Sequence, residues 1–232
     1  MEPSEASELT EEYLETIYNI TMEGEVVIGA RLAEKFRVAA PTVTQMLQRL
    51  TRDGYITMDG RRHISLTPAG AALAEAVLRR HRLTERFLVD VLGMQWHEVH
   101  EEACRLEHRI SGAVEARVVA ALDHPTTCPH GNPIPGYVSS ASTYLADHGA
   151  LRLRAAAPGS PMTILLVSEV VEDEEELISY LHERGLTPGT TLALAAVDPD
   201  AGTATLQVGA RAVTVPERVA HALWVVPAED QS

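Results

Sequence analysis

Apolar residues first recur at helical spacing at Leu9, Tyr13, Ile17 and Ile20, which predicts a helix over 8–22. Ser7 or Thr10 can cap it, and Glu12 and Glu15 lie toward its polar side. Gly24 interrupts the pattern. A short helix follows near 28–36, then a turn at 38–40 and a second helix opening at Pro41, where a missing N–H breaks no intrahelical hydrogen bond. The next run, YITMDGRRHISLT, alternates apolar and polar positions around Asp59-Gly60, as a β-hairpin does. Helix, turn, helix and hairpin in this order predict a winged helix-turn-helix.

From Pro68 the helical period returns, with one long helix over 68–92, a second containing HEEACRLEH (100–108) and a third over 110–123. The alanine-rich stripe of the third suits pairing with a second copy of the chain. CPHGNPIPGY is too dense in turn residues to continue a helix. Beyond it, 139–161 has no clear period and reads as a linker. MTILLVSEVV, TTLALAAVD, GTATLQV and HALWVVP are short β-rich runs, joined by a helix near 174–184, and predict a small β-barrel. The expected fold is mainly α with a small β C-terminal domain. Its divisions are a winged helix-turn-helix over 1–73, a helical domain over 74–138, the linker over 139–161 and the barrel over 162–228.

Charge changes this picture in one segment. The chain carries a net charge of -14, which argues against general affinity for nucleic acid. Residues 31–62 depart from it, with seven basic residues against Glu34, Asp53 and Asp59. In a winged helix-turn-helix the second helix enters the major groove. Pro41 opens that helix; Thr42, Thr44 and Gln45 then face base edges, while Arg31, Arg49, Arg52, Arg61 and Arg62 suit phosphates. Such modules read paired half-sites, so a homodimer on double-stranded operator DNA is expected. No stretch reaches the roughly 18–20 apolar residues of a membrane span. With only two cysteines, Cys104 and Cys128, a reduced cytoplasmic setting is expected.

The chemistry concentrates in HEEACRLEH. Cys104, Glu107 and His108 stand at i, i+3 and i+4 and share a helix face, with His100 one turn earlier. Thiolate, carboxylate and imidazole together form a first-row metal set. The simpler reading is a solvated acidic face with a core cysteine. His81 and Glu85, at i and i+4 on the preceding helix, form a second metal-capable pair. Cys128 and His130 could form a third as Cys-x-His, although a loop thiol is the simpler reading.

Pro41-Thr42-Val43, RRHRLTERFL, VHEEACRLEH and GNPIPG together resemble the diphtheria-toxin-repressor family of metal-dependent transcription regulators, which has iron-type and manganese-type members. The resemblance is strong over the first 138 residues and weaker over the C-terminal part, which resembles the family's SH3-like domain. It implies a non-enzymatic repressor of metal homeostasis that binds operator DNA when loaded with a divalent ion, at about two sites per chain. By position, Glu12, Cys104, Glu107 and His108 match the primary site. His81, Glu85 and His100 match the ancillary site, to which Glu169 and Glu172 of SEVVE would add. Iron-type members carry methionine where this chain has Glu12, and a non-ligand at Glu15. Manganese-type members have carboxylates at both positions, but usually another where this chain keeps Cys104. Carboxylates suit Mn(II) and Fe(II), whereas sulfur favours softer ions. The expected co-repressor is therefore Mn(II), with Fe(II) as the alternative and Glu15 as a further candidate ligand. A metalloenzyme that activates water is the remote alternative, and the sequence shows no phosphate-cradling loop or zincin motif for it.

Overall fold

The structure, a computed structural model, describes residues 7–171 and 174–228. Helix α1 (Glu8–Met22) begins at Ser7, whose hydroxyl accepts from the Thr10 N–H, and buries Tyr13, Leu14, Ile17 and Ile20. Helices α2 (Gly29–Lys35) and α3 (Ala40–Arg52) and the hairpin β1 (Ile56–Met58) with β2 (Ile64–Leu66) complete the winged helix-turn-helix. Leu32, Val43, Leu50, Ile56 and Ile64 close its core against α1. Proline stands at the start of α3, as its missing donor allows.

Helix α4 (Pro68–Asp90) leaves the wing under a Thr67 cap. Its first turn lies so close to the hairpin that a Cβ on Gly70 would sit 2.0 Å from the Tyr55 carbonyl oxygen. The helix is continuous for 23 residues, so a division at 73/74 falls inside one rigid element. It then packs on α5 (Val99–Leu106) and α6 (Gly112–Ala121). The helix predicted through residue 108 tightens to a 3-10 turn over Glu107–Arg109, and Glu107 is buried there. Val91, Leu92, Leu106 and Val114 leave apolar side chains exposed on this helical region.

The stretch read as a linker is structured. It forms helix α7 (Tyr144–Asp147), strand β3 (Leu151–Arg152) and a 3-10 turn over Leu153–Ala155, and it buries Ala141, Leu145, Leu153 and Ala156. Its elements each span only about one period of their pattern, too little for a repeat to show, which is why periodicity misses them. The C-terminal sheet adds β4 (Pro161–Val167), helix α8 (Glu174–Arg184), β5 (Thr191–Asp198), β6 (Thr203–Val208), β7 (Arg211–Pro216), helix α9 (Glu217–Ala222) and β8 (Leu223–Pro227). Strand order is β3-β8-β4-β5-β6-β7, with antiparallel pairing throughout. β7 and α9 have no counterpart in the sequence reading, and HALWVVP starts as helix before becoming strand.

Several contacts tie this sheet to the rest, among them Arg152 with Glu23 and Trp96 with His182, and two segments flank β4. The turn at 128–136 lies on β4, where Val167 N–H donates to the His130 carbonyl at 3.0 Å and Asn132 Nδ2 donates to the Val167 carbonyl at 3.0 Å. A Cβ on Gly131, at φ +87°, would approach the Leu165 carbonyl oxygen to 2.1 Å. After β4 the chain leaves the sheet, and Lys35 Nζ of α2 donates to the carbonyls of Glu169 and Val171, each at 2.9 Å. No helix among the described residues is long and apolar enough to cross a membrane.

Candidate metal centre

The long straight run of α4 places His81 and Glu85 one turn apart and almost fully buried. Glu85 is the hub of three imidazoles: its Oε1 lies 3.2 Å from His81 Nε2, 3.5 Å from His100 Nδ1 and 3.0 Å from His130 Nδ1. Its Oε2 is buried with no hydrogen-bond partner among the described residues. On one side, donor atoms of His81, His100 and Cys104 lie within 4.8 Å of one another; on the other, those of Glu85, Cys128 and His130 do the same.

Beside this cluster is a cavity of about 180 Å³, where Glu12 and Glu15 of α1 meet His100, Cys104, Glu107 and His108, with Glu169 on its wall. His81 Nδ1 lies 2.5 Å from Glu107 Oε2, and His108 Nε2 lies 3.1 Å from Glu107 Oε1. The structure thus gathers Glu12, Cys104, Glu107 and His108 around one cavity. Cys104 also faces His100 at 3.7 Å, so the two expected ligand sets adjoin at Cys104–His100 as they do at Glu107–His81. The Glu169 carboxylate is engaged by Arg82, at 2.6 Å, and Glu172 lies outside the described residues.

The residues expected to contact DNA lie elsewhere. Pro41, Thr42, Thr44, Gln45, Arg49 and Arg52 lie exposed on α3, and Arg61 and Arg62 are exposed on the wing. Thr44 Oγ1 donates back to the Ala40 carbonyl at 2.9 Å. Arg31, on α2, is partly exposed, paired with Glu25 and donating to the Val26 carbonyl.

This arrangement has relatives. Residues 5–64 match the N-terminal DNA-binding domain of iron-dependent repressors, residues 67–136 their metal-binding and dimerisation domain, and residues 151–227 a FeoA domain. The iron-dependent repressor IdeR of Mycobacterium tuberculosis is 41% identical over 227 residues, covering 96% of this chain and 98% of the relative. The chain belongs to the iron-dependent repressor family. The diphtheria toxin repressor of Corynebacterium diphtheriae is 35% identical over 227 residues, covering 93% of this chain and 96% of the relative. A solved manganese-dependent transcriptional repressor, in complex with manganese, superposes with a TM-score of 0.79 at 31% identity, covering 94% of this chain and 100% of that one. This family member is a metal-dependent transcriptional repressor. Its relatives include iron-dependent and manganese-dependent proteins, so membership alone does not choose the ion.

The electrostatics of the repressor's centre fit a divalent cation. Burial pushes the Glu15 carboxyl up to about 8, with the Glu107 charge adding to the effect. Burial also raises Glu12, against the opposing pull of His108. At His81 burial disfavours the charged ring, but the Glu85 charge and hydrogen bonds to Cys104, Glu107 and Glu85 outweigh it and hold the proton well above the usual histidine range. Burial disfavours ionised Glu85 too, and His130 and His81 overcome it. At Cys104 burial likewise opposes ionisation, and contacts from His100 and His81 still bring the thiol below its ordinary value. Cys128 is held high by burial and by the charges of Glu85 and Glu169. Protons are thus favoured on Glu12, Glu15 and His81, while Glu85 and Cys104 favour their ionised forms, a donor set that a divalent cation could bind with release of protons.

Two participants escaped the sequence reading. Glu11 contacts His108, and Arg82, fully buried, bonds Glu169, Asn19 and the Pro133 carbonyl at once. Cys128, weighed with His130 as a ligand pair but read more simply as a loop thiol, is buried beside Glu85. The Cys-x-His spacing was the available signal for the last. For Arg82 there was none, because its partners lie 51, 63 and 87 residues away.

Proposed function

We propose that this repressor takes Mn(II) as co-repressor, with Fe(II) as the alternative, at two sites per chain. Glu12, Cys104, Glu107 and His108 hold one ion, with Glu15 beside them. Glu85 anchors the second, with His81 and His100 on one side and Cys128 and His130 on the other, and Glu169 joins by leaving Arg82. The carboxylates at Glu12 and Glu15, where iron-type relatives of the resemblance lack them, support the manganese assignment. The second reading, Fe(II), is favoured by the Cys104 thiol and the IdeR relative.

The observation that carries the proposal is the cavity in which α1 of the reading head supplies Glu12 and Glu15 opposite Cys104, Glu107 and His108 of the helical region. A bound cation supplies positive charge that all of these donors can share, and they are gathered only while α1 is docked. Differential affinity for the docked state shifts the equilibrium toward it. Docking fixes the orientation of α3 for the major groove, where Thr42, Thr44 and Gln45 meet base edges and Arg49, Arg52, Arg61 and Arg62 meet phosphates. The exposed Val91, Leu92, Leu106 and Val114 form the homodimer face that spaces two such helices. Neutralising the carboxylates also reduces repulsion between an acidic protein and DNA.

The test is anaerobic fluorescence anisotropy on a fragment of the protein's own promoter region, first with chelator and then at buffered free Mn(II), Fe(II) or Zn(II). Binding that appears at the lowest free Mn(II) relative to cellular levels supports the manganese reading. Activation by Fe(II) in its place assigns selection to Cys104, and binding that ignores chelator removes the co-repressor role.

A further inference from the structure

Helix α1 reaches the Glu107–His108 turn through two consecutive residues. Glu12 lines the cavity itself, whereas Glu11 passes beside it and meets the back of the His108 ring. Glu11 Oε2 lies 2.6 Å from His108 Nδ1, and the opposite ring nitrogen, Nε2, faces Glu107 Oε1 at 3.1 Å. Both side chains are largely buried, with 14% of Glu11 and 10% of His108 accessible. Arg80 braces the same corner: its guanidinium stands 3.7 Å from Glu11 Oε2, while its Nε donates to the Glu107 carbonyl at 2.8 Å.

A neutral imidazole has one N–H and one lone pair, and the partner of the N–H decides where the lone pair points. With Nδ1–H donated to the Glu11 carboxylate, Nε2 is the nitrogen that faces Glu107 and the cavity; a proton there donates to Glu107, and a cation that takes that proton's place meets the Nε2 lone pair. Without Glu11, the ring could carry its proton on either nitrogen and turn about its side-chain torsions. Carboxylates behind metal-ligating histidines fix ring orientation and raise ligand basicity.

We propose that Glu11 is a positioning residue for the cation site: it holds His108 as the Nδ1–H tautomer with Nε2 presented to the ion. The inference rests on the reading of His108 as a ligand. It makes α1 a double contributor, through Glu12 at the ion and through Glu11 behind the opposing histidine, so the site is complete only with two adjacent residues of the reading head in place.

The experiment uses the full-length protein and four forms: unchanged, Glu11→Ala, Glu11→Gln and His108→Ala. Mn(II) affinity is measured by chelator competition, and the His108 ring tautomer is read by long-range ¹H–¹⁵N correlation in metal-free protein and with Zn(II) as a diamagnetic probe. Glu11→Ala is expected to lose about 10–100-fold in affinity at one of the two ions and to split His108 between tautomers, while Glu11→Gln, which keeps an acceptor oxygen, retains most of the affinity and the Nδ1–H form. Unchanged affinity in Glu11→Ala, alongside a loss in His108→Ala, overturns the role of Glu11 and leaves the site intact. Equal weakening of both ions in Glu11→Ala also overturns it, since the effect would be general loosening. Unchanged affinity in His108→Ala overturns the ligand reading itself, and this inference with it.

Discussion

The proposed reading face and the proposed metal centre are built in opposite ways. The face is local: six residues of one helix and two of one hairpin, all exposed and all within 22 positions of sequence. The centre is assembled from α1, α4, α5 and the following 3-10 turn, the 128–136 turn and the segment after β4, and most of its donors are buried. On the face the ion pairs are few and exposed, with Arg49 and Arg52 both approaching Asp53. At the centre every group depends on the charge of the next, so one substitution changes several partners. Recognition can therefore vary residue by residue, while the switch that licenses it responds as a unit.

That contrast is broken most forcefully at Arg82. Replacing it with alanine leaves the Glu169 carboxylate buried and unpaired and should cost about 3–5 kcal/mol of stability, measured by urea unfolding of metal-free protein. Loss of less than 1 kcal/mol, on the order of an exposed pair, would mean that the centre is less interdependent than described. Glu12→Gln should come next, weakening Mn(II) binding by about 10–100-fold if its charge holds the ion as a ligand, with operator binding at saturating metal largely recovered. On the face, Arg49→Ala should weaken operator binding at every sequence alike and reduce the slope of log affinity against log salt by about 1, with metal affinity unchanged. A change in metal affinity there would erase the distinction between the regions.

The most gradual expected effect is a slope with pH. The Glu15 carboxyl is raised in the folded protein from 4.5 to about 8, so the unfolded chain releases that proton first. Its contribution to stability is complete below about 4.5, is lost as pH rises toward about 8, and is flat above. Unfolding of metal-free protein across this window should show the decline, and Glu15→Gln should flatten it. Saturating Mn(II) should oppose the same decline, because the cation takes over from the proton.

Long periodic elements were legible because their patterns repeat several times. α1, α4 and α6 follow their apolar stripes, and the hairpin follows its Asp59-Gly60 turn. Residues 139–161 were not legible, since a four-residue helix and a two-residue strand contain no second period, and neither were β7 and α9. At the centre, local spacing brought out His81 with Glu85 and Cys104 with Glu107 and His108. It could not show that Glu169 faces Arg82, or that His130 reaches Glu85 across 45 positions. Lys35 shows the same limit in the basic segment: read as part of an anion-seeking patch, it instead caps two carbonyls after β4.

The central claim is that a cation joins α1 to the helical region and so fixes the reading head. Hydrogen exchange of the α1 amides, Glu8 to Met22, with chelator and then with saturating Mn(II), tests it most directly. The account predicts marked slowing along α1 on metal binding, reduced in Glu12→Gln at the same free Mn(II). Mn(II) that binds stoichiometrically while α1 exchanges at an unchanged rate would contradict it.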